Sequence, residues 1–255
     1  MKRLADKSQN FIRSPAVINK LLPLTSLHKN DLVFDIGAGS GVITSTIAPK
    51  VKRVVSVEID SRLIKTLVQN TSRFPNVTVI EADYLELKAP SEPFKVFANI
   101  PFHISSKIIK RWVLEPGSPE AAYLIVQKQF GQKLVANDTS HFTSQLGMCI
   151  GARYDVRIIK KLQRSDFMPM PAVDVVCISL ERRPVALVTT SEMADFVKFT
   201  EDCFSSRQNL AKTPLHIINA TPGVSPSSFT IYQWVKLFEA SRRTAQRPAK
   251  HGTKA

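Results

Sequence analysis

The chain has 255 residues, of which 44% are hydrophobic, enough for a substantial core and too many for a disordered chain. Lysine and arginine total 35 against 21 acidic residues, and this net charge of +14 favours a polyanionic partner, either nucleic acid or an acidic membrane surface. Three widely spaced cysteines exclude a disulfide framework and a Cys-x-x-Cys metal site. No apolar run is long enough to span a bilayer, and the N-terminus lacks an apolar signal core, so we expect a cytoplasmic protein with no membrane contact and no metal.

Strand-like and helix-like segments alternate through most of the chain. Ser14-Pro15 predicts the start of a first helix, because a capping residue precedes a proline. Apolar periodicity predicts strands at 32–34, 53–57, 77–80, 94–98, 123–126, 153–159 and 175–180, and helices at 61–70 and around 108–113. This alternation predicts an α/β fold with a mostly parallel seven-stranded sheet, of the Rossmann-like type. The order of the last strands stays open.

Past Pro184 the pattern changes to helices only, at 192–204, 210–218 and 231–238. We therefore predict an α/β catalytic domain at 1–183 and a small all-helical domain at 184–240, which would contact the partner. Residues 241–255 contain five basic and no acidic side chains, so we expect a disordered basic tail.

A glycine-rich segment, Asp-Ile-Gly-Ala-Gly-Ser-Gly at 35–41, follows the first strand of this alternation and precedes a helix. Glycines such as Gly37 and Gly39 let a backbone turn sharply and approach a ligand closely. Glu58 ends the next strand, where a doubly wound fold places the acid that accepts hydrogen bonds from the ribose hydroxyls. The pair predicts a nucleoside-containing cofactor; the alternative is a tight turn beside a surface glutamate.

The loop spacing favours a methyl donor over a dinucleotide. It reads Gly-x-Gly-x-Gly rather than Gly-x-Gly-x-x-Gly, and the carboxylate of Asp35 would repel a pyrophosphate. S-adenosylmethionine has no phosphate and carries two cationic groups, so an acid nearby favours its binding. Asp83, followed by Tyr84, comes at the end of the third strand, where it would accept a hydrogen bond from the cofactor's adenine amine.

The tetrapeptide Asn99-Ile100-Pro101-Phe102 follows the fourth strand. An exocyclic amine of a nucleobase is a poor nucleophile, because its lone pair is delocalised into the ring. The carboxamide oxygen of Asn99 and the carbonyl of Ile100 can accept the two amine protons and localise that lone pair for attack on a methyl group. Pro101 stiffens the loop, and Phe102 offers a ring on which the base can stack. The alternative is a simple turn that ends a strand.

These motifs resemble those of the rRNA adenine N6-methyltransferases, a family that contains the Erm resistance methyltransferases and the small-subunit dimethyladenosine transferases. The tetrapeptide is similar to the family's Asn-(Ile/Leu)-Pro-(Tyr/Phe). Residues 8–11 resemble its Gln-Asn-Phe segment, which lies over the methionine end of the cofactor, and 167–174 resemble its Phe-x-Pro-x-Pro-x-Val-(Asp/Asn). With the loop residues, this resemblance implies that S-adenosylmethionine contacts Asn10, Ile12, Asp35, Gly37, Gly39, Glu58, Ile59, Asp83, Tyr84 and Asn99.

Between the two branches, residues 8–11, Ile100 and the Leu-Glu-Arg-Arg at 180–183 are more similar to Erm. That resemblance implies N6-methylation of one adenine in the peptidyl-transferase region of 23S rRNA, resistance to macrolides, lincosamides and streptogramin B, and a monomer. Three alternatives stay open: a small-subunit rRNA dimethyltransferase, a non-catalytic RNA-binding assembly factor of the same fold, and a DNA adenine methyltransferase, whose motif usually reads Asp-Pro-Pro-Tyr.

Overall fold

A computed structural model of the chain describes residues 10–101, 103–115, 117–135 and 143–245. The strands in these ranges are β1 (Phe11–Ile12), β2 (Leu32–Ile36), β3 (Arg53–Glu58), β4 (Val77–Glu81), β5 (Lys95–Asn99), β6 (Ala121–Gln127), β7 (Tyr154–Leu162), β8 (Phe167–Met168) and β9 (Val175–Arg182). The α-helices are α1 (Pro15–Leu21), α2 (Val42–Ile47), α3 (Ser61–Thr71), α4 (Ser105–Leu114), α5 (Lys128–Leu134), α6 (Gln145–Gly151), α7 (Met193–Ser205), α8 (Arg207–Ala211) and α9 (Ile231–Ala245).

Seven strands form one sheet in the order β4-β3-β2-β5-β6-β9-β7. Strands β4, β3, β2, β5 and β6 run parallel, whereas β9 pairs antiparallel with both β6 and β7. This confirms the predicted mostly parallel seven-stranded sheet and supplies the order of its last strands. The chain starts at β2, moves outward to β3 and β4, and then returns to β5 on the other side. The carboxyl ends of β2 and β5 therefore flank the topological switch point, where ligands bind in open α/β sheets.

Local signals account for two helix starts around the sheet. The Ser14 side chain accepts a hydrogen bond from Ala16 N, and Pro15 occupies the first turn of α1, as predicted. Asp60 caps α3 in the same way by accepting from Arg62 N. Within the described residues, no helix is long and apolar enough to cross a membrane.

The helical region packs into the same core as the sheet. One continuous hydrophobic cluster runs from the sheet residue Val96 through Trp112 of α4 to Phe196 of α7 and Trp234 of α9. A second cluster covers the opposite face, around α1 and α2. The predicted domain boundary at 183 thus lies between a sheet and helices that share one buried cluster.

Two predictions for the C-terminal region, one of a helix and one of the tail, were wrong in extent. The helix expected over 210–218 is α8 followed by a 3₁₀ turn at Leu215–Ile218, because Pro214 cannot continue a helix. Residues 241–245, predicted to be part of the disordered tail, are instead the end of α9, which continues to Ala245. Arg242 holds that last turn through an ion pair with Glu192 and by lying over the Phe238 ring, 5.4 Å from its centroid. The rest of the predicted tail, 246–255, lies outside the described residues.

Candidate functional site

The glycine loop lies at the switch point, between the end of β2 and α2. Gly37, Gly39 and Gly41 all have positive φ, at 69°, 58° and 88°, a region that residues with a side chain rarely adopt. A Cβ on Gly37 would lie 3.3 Å from Pro101 Cδ, and one on Gly39 would lie 3.0 Å from the Phe11 ring. The loop is therefore covered closely from two sides by segments distant in sequence.

Asp35 lies beneath this loop rather than on its surface. It is fully buried, and its Oδ2 accepts hydrogen bonds from Thr44 N at 3.1 Å and Thr44 Oγ1 at 2.7 Å. Its other oxygen, Oδ1, is buried with no hydrogen-bond partner among the described residues. Burial raises the pKa of Asp35 from 3.8 to about 7, against the opposing effect of the Thr44 hydrogen bonds. Asp35 thus anchors the start of α2 through Oδ2, and its Oδ1 has no hydrogen bond from any described residue.

Glu58, at the end of β3, is hydrogen-bonded to the glycine loop. Its Oε2 accepts from Gly39 N at 2.8 Å, and its Oε1 accepts from the backbone N–H groups of Ile59 and Asp60, each at 2.9 Å. Three backbone donors therefore hold this buried carboxylate in one orientation at the end of the strand. Ile59 itself is 63% exposed, an apolar side chain turned toward solvent beside the loop.

Asp83 and Tyr84, the two cofactor residues predicted after β4, have different environments in the structure. Asp83 is half-buried, and its Oδ1 accepts from Leu85 N at 2.9 Å, which leaves Oδ2 without a described donor. Tyr84 differs from the prediction, because its side chain lies in the core against α4. Its hydroxyl accepts from Trp112 Nε1 at 3.1 Å, and Arg111 lies over its ring. The burial raises the pKa of the Tyr84 phenol, so this group remains neutral and structural.

The Asn-Ile-Pro segment follows β5 on the other side of the switch point. Asn99 is half-buried, and its Nδ2 donates to the carbonyl of Asn10 at 2.7 Å. Ile100 is buried, and the Pro101 carbonyl accepts from Ile104 N, which starts the turn into α4. Phe102, the fourth residue of the predicted motif, lies outside the described residues.

A short two-stranded ribbon, which the sequence did not predict, brings the N-terminal segment to this place. Strand β1 pairs antiparallel with β8, with Phe11 opposite Met168 and Ile12 opposite Phe167. Neither two-residue strand has a periodicity to detect, although the family resemblance marks both segments. The ribbon places Asn10 and Ile12 beside the glycine loop.

These elements surround one small cavity. Its lining comes from β1, the glycine loop, the start of α2 and the end of β5, with the residues Phe11, Ile12, Gly37, Ala38, Ser40, Val42, Ile43 and Asn99. Sequence reasoning did not single out Val42 and Ile43, although their place directly after the glycines was a usable signal. Seven of the predicted cofactor residues are not among the lining residues, namely Asn10, Asp35, Gly39, Glu58, Ile59, Asp83 and Tyr84. In the part of the chain that the structure describes, no group of three or more histidine, cysteine or acidic residues could hold a metal.

The fold is a Rossmann-like sheet with this glycine loop, a carboxylate at the end of the neighbouring strand and an Asn-x-Pro segment after β5. This combination defines a class I methyltransferase with a helical C-terminal part. A family model described as ribosomal RNA adenine dimethylase matches residues 2–220. The chain therefore belongs to the ribosomal RNA adenine dimethylase family, and it is an rRNA adenine methyltransferase.

Relatives from both branches of this family are similar to the chain. An rRNA adenine N-6-methyltransferase of Lysinibacillus sphaericus is 35% identical over 181 residues, which cover 71% of this chain and 72% of that protein. A ribosomal RNA small subunit methyltransferase A of Dehalococcoides mccartyi is 28% identical over 228 residues, covering 86% and 76%. Among solved structures, the 23S rRNA methyltransferase ErmE superposes with a TM-score of 0.78 at 28% identity, covering 91% of this chain and 99% of that one.

Proposed function

We propose that the protein transfers a methyl group from S-adenosylmethionine to the N6 amine of one adenine in the peptidyl-transferase region of 23S rRNA. It would act as a monomer in the cytoplasm and confer resistance to macrolides, lincosamides and streptogramin B. The observation that carries the chemistry is the Asn99 carboxamide at the edge of the glycine-loop cavity. The likeness to ErmE over 91% of the chain supports the 23S target.

The predicted residues at the ends of β2, β3 and β4 suit the proposed cofactor, although they do not line the cavity. The unpartnered, buried Oδ1 of Asp35 is an acceptor that a cationic group nearby would stabilise. Glu58, fixed by three backbone donors, keeps a lone pair on Oε2 for a ribose hydroxyl. Asp83 Oδ2, to which no described residue donates, can accept a hydrogen bond from an adenine amine, and the exposed Ile59 could cover the adenine face. S-adenosylmethionine, when bound, supplies a methyl group made electrophilic by its sulfonium.

The chain's own residues would then prepare the acceptor. Asn99 Oδ1 and the Ile100 carbonyl accept the two protons of the N6 amine, which localises the nitrogen lone pair and aims it at the methyl group. The Phe102 ring stacks on the target base, which must be unpaired or flipped out to reach Asn99. The proton that is lost on transfer passes to water. Catalysis then rests on positioning and on hydrogen bonding rather than on a strong base.

Methyl transfer from radiolabelled S-adenosylmethionine tests this proposal on two substrates, protein-free 23S rRNA and 30S particles, with primer extension to locate the modified base. We expect labelling of one adenine in the free 23S rRNA. Labelling of 30S particles alone would assign the protein to the small-subunit branch, which the relative from Dehalococcoides mccartyi supports. Cofactor binding without labelling of either substrate would favour a non-catalytic assembly factor.

Substituting Asn99 by alanine tests the chemical step itself. Because the variant lacks the carboxamide acceptor, we expect kcat to fall by about 100-fold or more, as when one preorganised electrostatic group is removed. Lys107→Ala, on the following helix, is the matched control and should keep its turnover. An Asn99→Ala variant with more than half of the wild-type rate would contradict the assigned role of Asn99.

A further inference from the structure

The orientation of the Asn99 amide follows from its neighbour on β1. A backbone carbonyl can only accept hydrogen bonds, so the Asn99 atom 2.7 Å from Asn10 O must be the amide nitrogen. The carboxamide oxygen then points away from Asn10, and no described residue donates a hydrogen bond to it. The terminal torsion of asparagine is broad and nearly two-fold, so without this partner the amide could turn over at little cost. A turned amide would present N–H donors to an amine that is itself a donor.

The Asn10 carbonyl is itself held in place by the ribbon. Arg13 N donates to Asp166 O at 2.9 Å at the end of the β1–β8 pairing. Phe167 of β8 is buried in the core of the sheet, and this anchors the ribbon. Arg164 Nε donates to Pro171 O at 2.7 Å and braces the turn that follows β8. The position of the carbonyl is thus set by residues more than 150 positions further along the chain.

We propose that the backbone carbonyl of Asn10, held by the β1–β8 ribbon, is a positioning group that fixes the Asn99 carboxamide with its oxygen toward the acceptor amine. This inference rests on the proposed adenine N6-methylation and adds a role for the N-terminal segment besides contact with the cofactor. Loosening the ribbon therefore lowers the rate of transfer and does not merely weaken cofactor binding.

A pair of substitutions at Arg13 separates the ribbon bond from the side chain. Arg13→Pro replaces the N–H that binds Asp166 O with a ring carbon that cannot fit at this distance from the oxygen, so this end of the ribbon must open. The preceding Ile12 already has the extended conformation required before proline. Arg13→Ala keeps that N–H and is the matched control. We expect Arg13→Pro to lower kcat by about fivefold or more relative to Arg13→Ala, because at least one hydrogen bond of the ribbon is lost. A raised KM for S-adenosylmethionine with unchanged kcat would overturn the inference.

The Asn99 side-chain amide gives a readout in the free protein. With ¹⁵N-labelled asparagine, we expect its NH₂ signal to show one proton shifted downfield and protected from exchange, as befits a donor held by a carbonyl. The signal is assigned by its loss in Asn99→Ala. It should move toward the position of a solvent-exposed amide in Arg13→Pro and stay in place in Arg13→Ala. An Asn99 signal that is unprotected in the wild type would contradict the proposed bond.

A second, independent test uses Asn99→Asp. A protonated aspartate can donate to the Asn10 carbonyl and accept from the amine, as the amide does, whereas an ionised one would set two acceptors against each other. We therefore expect the ratio of the variant's rate to the wild-type rate to depend on pH. At pH values above the pKa of the new carboxyl, this ratio should rise about tenfold for each unit by which the pH is lowered. The titratable groups on adjoining elements are Asp35 on β2, Arg13 after β1, Lys128 after β6 and His103 in the following loop. They are present in both proteins, so their direct effects on the rate divide out of the ratio, and their influence on the pKa of the new carboxyl is what remains.

The outcomes distinguish this inference from the proposed function. If the wild-type protein methylates no rRNA, the function fails and the amide signal alone tests the Asn10–Asn99 bond. If the wild type is active but Asn99→Asp has the same pH profile as wild type, or a rate ratio that rises with pH, the inference fails while the function stands.

Discussion

At the scale of single residues, Asp35 shows the clearest conflict between burial and charge. The folded protein holds this carboxyl without full hydrogen bonding, and its pKa of about 7 exceeds the value of 3.8 for a free side chain. The folded state therefore binds a proton that the unfolded state has released between these two values. Stability contributed by the neutral form is present at low pH and is lost as the pH rises from about 4 to 7.

Thermal unfolding across pH tests this account of Asp35. At about 1.4 kcal/mol per pKa unit, ionisation costs the folded state on the order of 4 kcal/mol by neutral pH. Asp35→Asn stays neutral, so we expect the difference in Tm between this variant and wild type to shift in favour of the variant as the pH rises from 4 to 8. Asp195→Asn, at an exposed position, should show no such trend. Parallel Tm profiles for Asp35→Asn and wild type would refute the raised pKa.

At the scale of elements, the glycine loop is shaped by the ribbon as well as by its own backbone. Gly39 combines a φ of 58° with the Phe11 ring 3.0 Å from where a Cβ would lie, so this position has both a conformational and a steric constraint. Gly223 has a φ of 97°, but a Cβ there would have nothing within 4 Å, so this position isolates the conformational part.

Alanine substitutions at these two glycines are a matched pair. Gly223→Ala should lower the free energy of unfolding by about 1–2 kcal/mol, the cost of a side chain at positive φ. Gly39→Ala should lower it by more, because its Cβ also meets the Phe11 ring. Only Gly39→Ala should also weaken the binding of S-adenosylmethionine, because it displaces Phe11 from the cavity wall. Chemical denaturation and calorimetric titration measure the two effects. Equal affinity in both variants would show that Phe11 does not shape the cofactor site.

At the scale of the whole molecule, the sheet and the C-terminal helices share one buried cluster. Helix α6 packs against both α4 and α7, and Gln145 Nε2 donates to Thr200 Oγ1 at 3.1 Å across that contact. Removing the helices would expose apolar side chains around Trp112 and Phe196. We therefore expect one cooperative unfolding unit, although the sequence predicted two domains.

The two tryptophans test this expectation, since Trp112 lies in the α/β part and Trp234 in α9. With excitation at the red edge of the absorption band, which tyrosine does not share, Trp112→Phe reports on Trp234 alone and Trp234→Phe on Trp112 alone. In each variant, the fluorescence and far-ultraviolet circular dichroism transitions should have the same denaturant midpoint. Because both probes are read on the same variant, any destabilisation by the substitution cancels. In Trp112→Phe, a lower denaturant midpoint for Trp234 fluorescence than for circular dichroism would establish a separately folding helical domain.

The sequence by itself determined the seven sheet strands, the capped start of the first helix, the glycine loop and the Asn-Ile-Pro segment. Each of these is encoded by neighbours along the chain, through apolar periodicity, capping residues or glycines that permit positive φ. The packing role of Tyr84, the anchoring of α2 by Asp35 and the shared core could not be obtained in this way. They depend on contacts between residues far apart in sequence, which local patterns do not specify.

The site itself divides along the same line. The sequence supplied Asn99 and Glu58 as candidate functional residues, because the chemistry of an amide and of a carboxylate is intrinsic to each side chain. Only the tertiary structure decided which way the Asn99 amide faces and which backbone groups hold Glu58. The reason is that hydrogen bonds depend on distance and direction, and both became fixed only when β1, β8 and the glycine loop came together around the switch point of the sheet.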